Sequence, residues 1–216
     1  MIDRPIDGVQ TDQRVHPAGK KGATVSLREV AERAWKARMS PRLRAWVTQE
    51  LDKAKMVNGT HRQKGQVILD AFRKKVPYVA DPVMGEFMAK PEQVLCLDEG
   101  GLCIVGADCD EVSITLAAAM MSIGIDAMII GSSHREPYDT PTHVFMAFKD
   151  ELDKWVKMDG TTKLPAGKTP PHMREFWYEP GEQAKDSGEG DFVGMSGPGT
   201  LSGPPQRFDL RYPGIR

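Results

Sequence analysis

The sequence predicts an α+β protein, helices first and strands after them. Three observations carry this. Apolar residues recur at helical spacing in four stretches between residues 26 and 123. Short β-rich runs follow, "DAMIIG", "THVFMAFK" and "KWVKMDG". The polar "DELD" between the last two stands where a hairpin turn belongs. No internal repeat interrupts this order.

The 216 residues suit one ordinary domain with extensions. Residues 1–25 are polar and broken by Pro and Gly, and are expected to form an arm. "SLREVAERAWKA" starts with Ser26 and Glu29 at capping-box spacing and predicts a helix with Leu27, Val30, Ala31 and Ala34 on one side. "SPRLRAWVTQELDKAKM" predicts a second helix, with Ser40 as N-cap, Pro41 at the first position and a stripe of Leu43, Trp46, Val47 and Leu51. "HRQKGQVILDAFRKKV" predicts a third, with Val67, Ile68, Ala71, Phe72 and Val76, stopping at Pro77. A turn-rich stretch with Pro82 and Pro91 follows. A helix is then expected over 109–123, closed by Gly124. From about residue 162 onward, Pro and Gly make up about 30% of the chain, a share typical of extended segments. The expected organisation is an arm at 1–25, a domain at 26–165 and an irregular extension at 166–216 in which Phe176, Trp177 and Tyr178 pack back.

Composition excludes some functions. The net charge of −1 argues against a protein that holds nucleic acid by a bulk positive field. The start, "MIDRPIDGVQ", is no secretory signal, and the apolar "ITLAAAMMSIGI" is too short to cross a bilayer, so a cytoplasmic protein is expected, not a membrane one. Three cysteines do not make a disulfide framework, and a reducing compartment is the simplest reading, with a single bridge left open. There is no Cys-x-x-Cys pair and the five histidines are scattered, so no metal or other cofactor is expected.

The chemistry centres on Cys109. It begins an apolar helix in "GADCDEV", where a cysteine is either a small hydrophobe or a nucleophile. Unpaired N–H groups and the dipole at a helix start favour a thiolate and can hold an oxyanion. Asp108, Asp110 and Glu111 oppose a thiolate. Asp108 and Glu111 match a capping box, which would tie them to the backbone and turn them away.

A base stands downstream. A hairpin loop of three residues at 150–152, or of five at 149–153, pairs residues whose numbers sum to 302. His143 then lies directly opposite Asp159, on one face, about 4.5–5.5 Å apart at Cβ. A loop of two or four residues breaks that alignment. A carboxylate beside an imidazole fixes its tautomer, and the imidazole can take a thiol proton and return it to a leaving amine.

Other residues have weaker claims. Cys103 in "LCIVG" reads as core, and Cys96 as core or site entrance. His134 reads as a surface residue first and a substrate contact second. Trp155 reads as core filling first and a shield for the His143–Asp159 pair second.

"GADCDEVSITLAAAMMSIGIDA", "THVFMAFK" and "WVKMDGTT", in that order, resemble the transglutaminase-like superfamily of cysteine enzymes. The likeness covers about residues 60–165 and includes the upstream "VPYVADPVMGEFMAKPEQVL". It implies a papain-like α+β fold, in which a helix carrying the cysteine packs on an antiparallel sheet carrying the histidine and aspartate. It implies Cys109 as nucleophile, His143 as base and Asp159 as its orienter, with Tyr78 a candidate oxyanion donor by position. Ala107 stands where many relatives have a second Gly or Gly-Asp. The implied activity is acyl transfer on peptide or carboxamide bonds, with hydrolysis (a cysteine peptidase or amidase) favoured over amine crosslinking. The implied partner is a protein or peptide substrate. The polar N-terminal arm, the irregular C-terminal arm and the Trp-bearing helices favour the alternative, a structural or interaction protein that assembles through its arms, the C-terminal one above all, with the triad vestigial or accessory; a phage virion component is the example, since small members are frequent in tailed phages.

Overall fold

The computed structural model describes residues 20–80, 88–97, 103, 106–134 and 140–179, with the backbone alone for 20–25. Among the described residues stand five helices and one four-stranded antiparallel sheet, the α+β arrangement expected. Residues 1–19 and 180–216 lie outside them, and so do most of the expected arms and the docking role given to the C-terminal one.

Helix α1 spans Lys20–Ala37 and so begins ahead of the expected start at Ser26. Ser26 is a buried interior residue of the helix, not its cap. No proline breaks 20–25, and the lone Gly22 costs only about 1 kcal/mol relative to Ala. Burial of Leu27 and Val30 outweighs that, at about 1.5–3 kcal/mol for each fully buried side chain of this size. Helix α2 (Pro41–Lys53) has the predicted cap, with the Ser40 hydroxyl accepting from the Leu43 N–H at 3.2 Å. Helix α3 (His61–Lys75) is capped by a Thr60–Gln63 box and buries Ile68, Leu69 and Phe72. Helix α4 (Pro91–Val94) is a single turn inside the turn-rich stretch.

Helix α5 (Cys109–Ser122) is central. Ile114, Leu116, Ala117, Ala118, Ala119 and Met120 have no exposure at all, which accounts for its apolar composition on every side. It packs on the inner face of the sheet formed by β1 (Ala127–Ser133), β2 (His143–Lys149), β3 (Trp155–Met158) and β4 (Arg174–Tyr178). The strand order is β3-β2-β1-β4. Val144, Met146 and Phe148 of β2 face the main core, while Phe145 and Ala147 join Ile130 and Trp177 on the other side. None of the helices among the described residues is long and apolar enough to cross a membrane.

Two features differ from the sequence expectation. Strand β4 is formed by the start of the expected extension. Its five residues "REFWY" pair with β1, from Ile129 opposite Tyr178 to Ser133 opposite Arg174. Its apolar run is too short to outweigh the surrounding Pro and Gly until β1 offers an edge. The second is the hairpin register. Met146 faces Met158 and Lys149 faces Trp155, so paired numbers sum to 304, not 302. The Asp150 side chain sets this turn. Its Oδ1 accepts from the N–H groups of Leu152 and Lys154 at 3.0 and 2.9 Å, and Asp153 takes a left-handed φ of +61°. The loop is therefore residues 150–154, and β3 is shorter than the expected strand. A slip of two residues, unlike a slip of one, leaves every side chain on its original face.

Candidate functional site

The chain enters α5 along a short parallel bridge between Tyr78 and Ala107. The Val79 N–H donates to the Ala107 carbonyl at 3.0 Å, and the Ala107 N–H to the Pro77 carbonyl at 3.1 Å. Gly106 makes this approach possible. Its φ is +111°, and a Cβ there would lie 2.3 Å from Val79 Cγ2. This bridge sets Tyr78 beside the start of α5.

Asp108 then caps the helix as predicted. Its Oδ1 accepts from the Asp110 N–H at 2.8 Å, its side chain takes the N–H of Glu111, and Glu111 Oε2 accepts the Asp108 N–H at 3.1 Å. Glu111 Oε1 also takes the Ala89 N–H at 3.3 Å. Burial, followed by the Asp108 carboxylate beside it, pushes the Glu111 carboxyl up. The Cys109 N–H is not among the groups these caps consume.

Asp110 behaves differently. It does not turn away but stands at the sulfur, with Cys109 Sγ donating to its Oδ1 at 3.5 Å. The thiol is accordingly not lowered as a helix start would suggest. Burial first, then the Asp110 and Asp108 carboxylates, push it up, against the nearby Val144 backbone N–H, which favours the thiolate. Val144 follows His143 on β2, the strand against which α5 packs. The donor atoms of Asp108, Cys109 and Asp110 lie within 4.8 Å of one another, but Asp108 is engaged in the cap and Asp110 with the thiol.

The structure brings His143 and Asp159 together despite the shifted register. His143 Nε2 lies 3.0 Å from Asp159 Oδ2. Asp159 would stand opposite Phe145, a diagonal neighbour of His143 on the same face, and side chains at that offset still reach each other. The carboxylate is 1% exposed, and its other oxygen is filled: Oδ1 accepts the Thr161 N–H at 2.9 Å and the Thr161 hydroxyl at 2.7 Å. Burial pushes the Asp159 carboxyl up, but the His143 and Thr161 hydrogen bonds outweigh it and hold the group below the usual range.

Tyr78 is half-exposed. Partial burial, followed by the charges of Cys109, Asp108, Asp159 and Asp110, holds its hydroxyl above the ordinary value, so the phenol shares the field of the site.

Sequence reasoning did not foresee the surroundings of His143. Its ring centre is 6.0 Å from that of His134, which is in turn 5.9 Å from His172. Ser132 Oγ lies 3.0 Å from His134 Nε2 and donates to the His143 carbonyl at 3.4 Å, and His134 Nδ1 lies 3.0 Å from the Pro171 carbonyl. Burial, then the charges of His143 and His172, push His134 down. Glu175 on β4 takes Lys157, His172 and the Trp177 indole N–H. Those partners outweigh burial and hold its carboxyl at about 2, while the bond to Glu175 raises His172. These residues lie in or beside β4, and without that strand no sequence pattern linked them to His143.

Three other readings are corrected. Cys103 is exposed, not core, and it is bonded to Cys96, also exposed. Their Cα atoms lie 4.8 Å apart, and Cys96 takes a left-handed φ of +50°. The expectation of reduced cysteines thus holds for Cys109 alone. Such bridges persist in oxidising surroundings. Trp155 neither fills the core nor shields the His143–Asp159 pair. It faces Lys149 at the turn end of the hairpin, 36% exposed, with its ring 6.0 Å from that of Trp177.

No known family profile matches the chain, and no curated protein does. One solved structure, described as a "putative protease" from Parabacteroides distasonis, resembles it with a TM-score of 0.46 and 11% identity, over 72% of this chain and 35% of that one. This chain therefore spans about a third of that protein's length. A likeness of that size says nothing of this chain's chemistry.

Proposed function

We propose that this protein is a transglutaminase-like cysteine enzyme that transfers acyl groups from peptide or carboxamide bonds, with water as the favoured acceptor. The observation that carries the reading is the bond from His143 Nε2, on the strand against which α5 packs, to the buried Asp159.

The neutral imidazole with its proton on Nε2, donated to Asp159, leaves Nδ1 as a proton acceptor. The raised thiol means that Cys109 rests as S–H, so proton removal belongs to the attack itself. Sγ bonds to the substrate carbonyl carbon while its proton passes to His143, and the carbonyl electrons move onto oxygen. The Cys109 N–H, which the helix caps do not use, and the Tyr78 hydroxyl are the donors for that oxyanion. Asp159 balances the imidazolium. Collapse expels the amine or ammonia, which takes the proton from His143 and leaves a thioester. Water then attacks, gives a proton to His143, and the thiol departs with it, releasing the acid. Hydrolysis is favoured because it needs no second specific substrate site.

Iodoacetamide labelling tests the reading. With Cys96 and Cys103 bonded, Cys109 is the sole thiol to follow. His143→Ala is expected to slow its alkylation by about 10²-fold while the chain stays folded, the scale of general-base assistance. Equal rates in the parent and His143→Ala would sink the proposal.

A further inference from the structure

We propose that Arg73, in the last turn of α3, is a positioning residue that fixes Asp159 where it can orient His143. The inference rests on the acyl-transfer reading above and names a part of that site outside the Cys109–His143–Asp159 set.

The guanidinium reaches across to the loop after β3. Nη2 donates to the Asp159 carbonyl at 2.6 Å and to the Leu164 carbonyl at 2.7 Å, and Nε donates to the Gly160 carbonyl at 3.4 Å. One planar fork thus spans residues 159–164, a geometry that a single ammonium cannot copy in full. The bonds from Thr161 to Asp159 Oδ1 have another effect. They close a turn inside the loop and move with it, so they set the carboxylate's rotation but not its place in the molecule. Beyond the pairing of Met158 with Met146 just before it, its place is set from outside the loop on two sides. Gly160 rests directly on α5, where a Cβ would lie 2.4 Å from Val112 Cγ1 and 2.7 Å from Leu116 Cδ1. Arg73 ties Gly160 and its neighbour Asp159 to α3. The Asp159 turn is therefore held between the helix that carries the nucleophile and a second helix packed on it. Gln66 Oε1 takes the Ala166 N–H at 2.9 Å, farther along the loop, and does not touch Asp159. Loss of the Arg73 fork leaves the carboxylate's rotation intact and its distance from His143 loose.

The test follows Cys109 alkylation by iodoacetamide and the downfield imidazole N–H proton resonance of His143, below the melting range of each variant. Arg73→Met and Arg73→Gln are expected to slow alkylation about tenfold or more and to weaken or remove that resonance, since a misplacement of about 1 Å by a distant change can cost about 10²-fold. Arg73→Lys, which keeps the charge and reaches the Asp159 carbonyl, is expected to recover at least about a third of the parent rate. A residue that only stabilised the fold would leave both readouts unchanged at temperatures where the variant is folded. The proposal is overturned if Arg73→Met or Arg73→Gln, whichever is folded, labels within about twofold of the parent while His143→Ala and Asp159→Asn are slow. Arg73→Lys no faster than Arg73→Met would overturn it too. Unchanged labelling in His143→Ala and Asp159→Asn would instead remove the acyl-transfer reading on which the proposal rests.

Discussion

Replacing Asp159 by Asn tests the site with little change in shape. The carboxylate has three donors: the Thr161 N–H at 2.9 Å and Thr161 hydroxyl at 2.7 Å on Oδ1, and His143 Nε2 at 3.0 Å on Oδ2. An amide has one acceptor oxygen. If that oxygen keeps the two Thr161 bonds, the NH2 group faces Nε2 and two donors meet. His143 then has to move its proton to Nδ1, the nitrogen meant to accept from Cys109. Losing a hydrogen bond to a charged group costs about 1.5–3 kcal/mol, so a stability loss of about 2 kcal/mol is expected in urea unfolding at neutral pH. The comparable exchange behind a catalytic imidazole costs about 10⁴-fold in turnover. Alkylation of Cys109 needs the proton removed but never returned, so a loss of about 10²-fold is expected in iodoacetamide rates. A folded Asp159→Asn chain that labels within roughly threefold of the parent would refute the idea that this carboxylate sets the tautomer of His143.

Glu175 gives a prediction with a sign. Its carboxyl lies at about 2 in the folded chain against an ordinary 4.5. As pH falls the unfolded chain binds the proton first, so this group's stabilisation is complete above 4.5 and drains away between 4.5 and about 2. Glu175→Gln is expected to lower stability by about 2–3 kcal/mol at pH 7 and by almost nothing at pH 2, measured by urea unfolding across pH; an equal loss at both ends would refute the assignment. The Cys96–Cys103 bridge closes a loop seven positions long, which predicts a loss of about 2–3 kcal/mol in a chain carrying both Cys96→Ser and Cys103→Ser. Thiol titration of the unfolded chain is expected to find one free thiol before reduction and three after it; three before reduction would disprove the bridge.

Much of this site was legible because its signals are local or periodic. The Asp108–Glu111 cap, the Ser40 cap and the placing of Cys109 at a helix start depend on residues within four positions of one another. The pairing of His143 with Asp159 survived a wrong register because strand side chains alternate with period two, and the error was two residues. The orientation of Asp110 was not legible. A carboxylate next to a cysteine can cap the helix or meet the thiol, and what decided it was the prior claim of Asp108 and Glu111 on the backbone donors.

By itself, the sequence determined four of the five helices among the described residues, the residues that begin α2, α3 and α5, and which faces of the hairpin carry His143 and Asp159. These follow from backbone geometry over a few residues. Only the tertiary structure decided the rest. It made β4 from a Pro/Gly-rich stretch, gathered His134 and His172 about His143, joined Cys96 to Cys103 and set Arg73 on the loop of Asp159. Each of these contacts joins residues from different elements or across a loop, and no period or cap in a chain specifies which distant partner packing will supply.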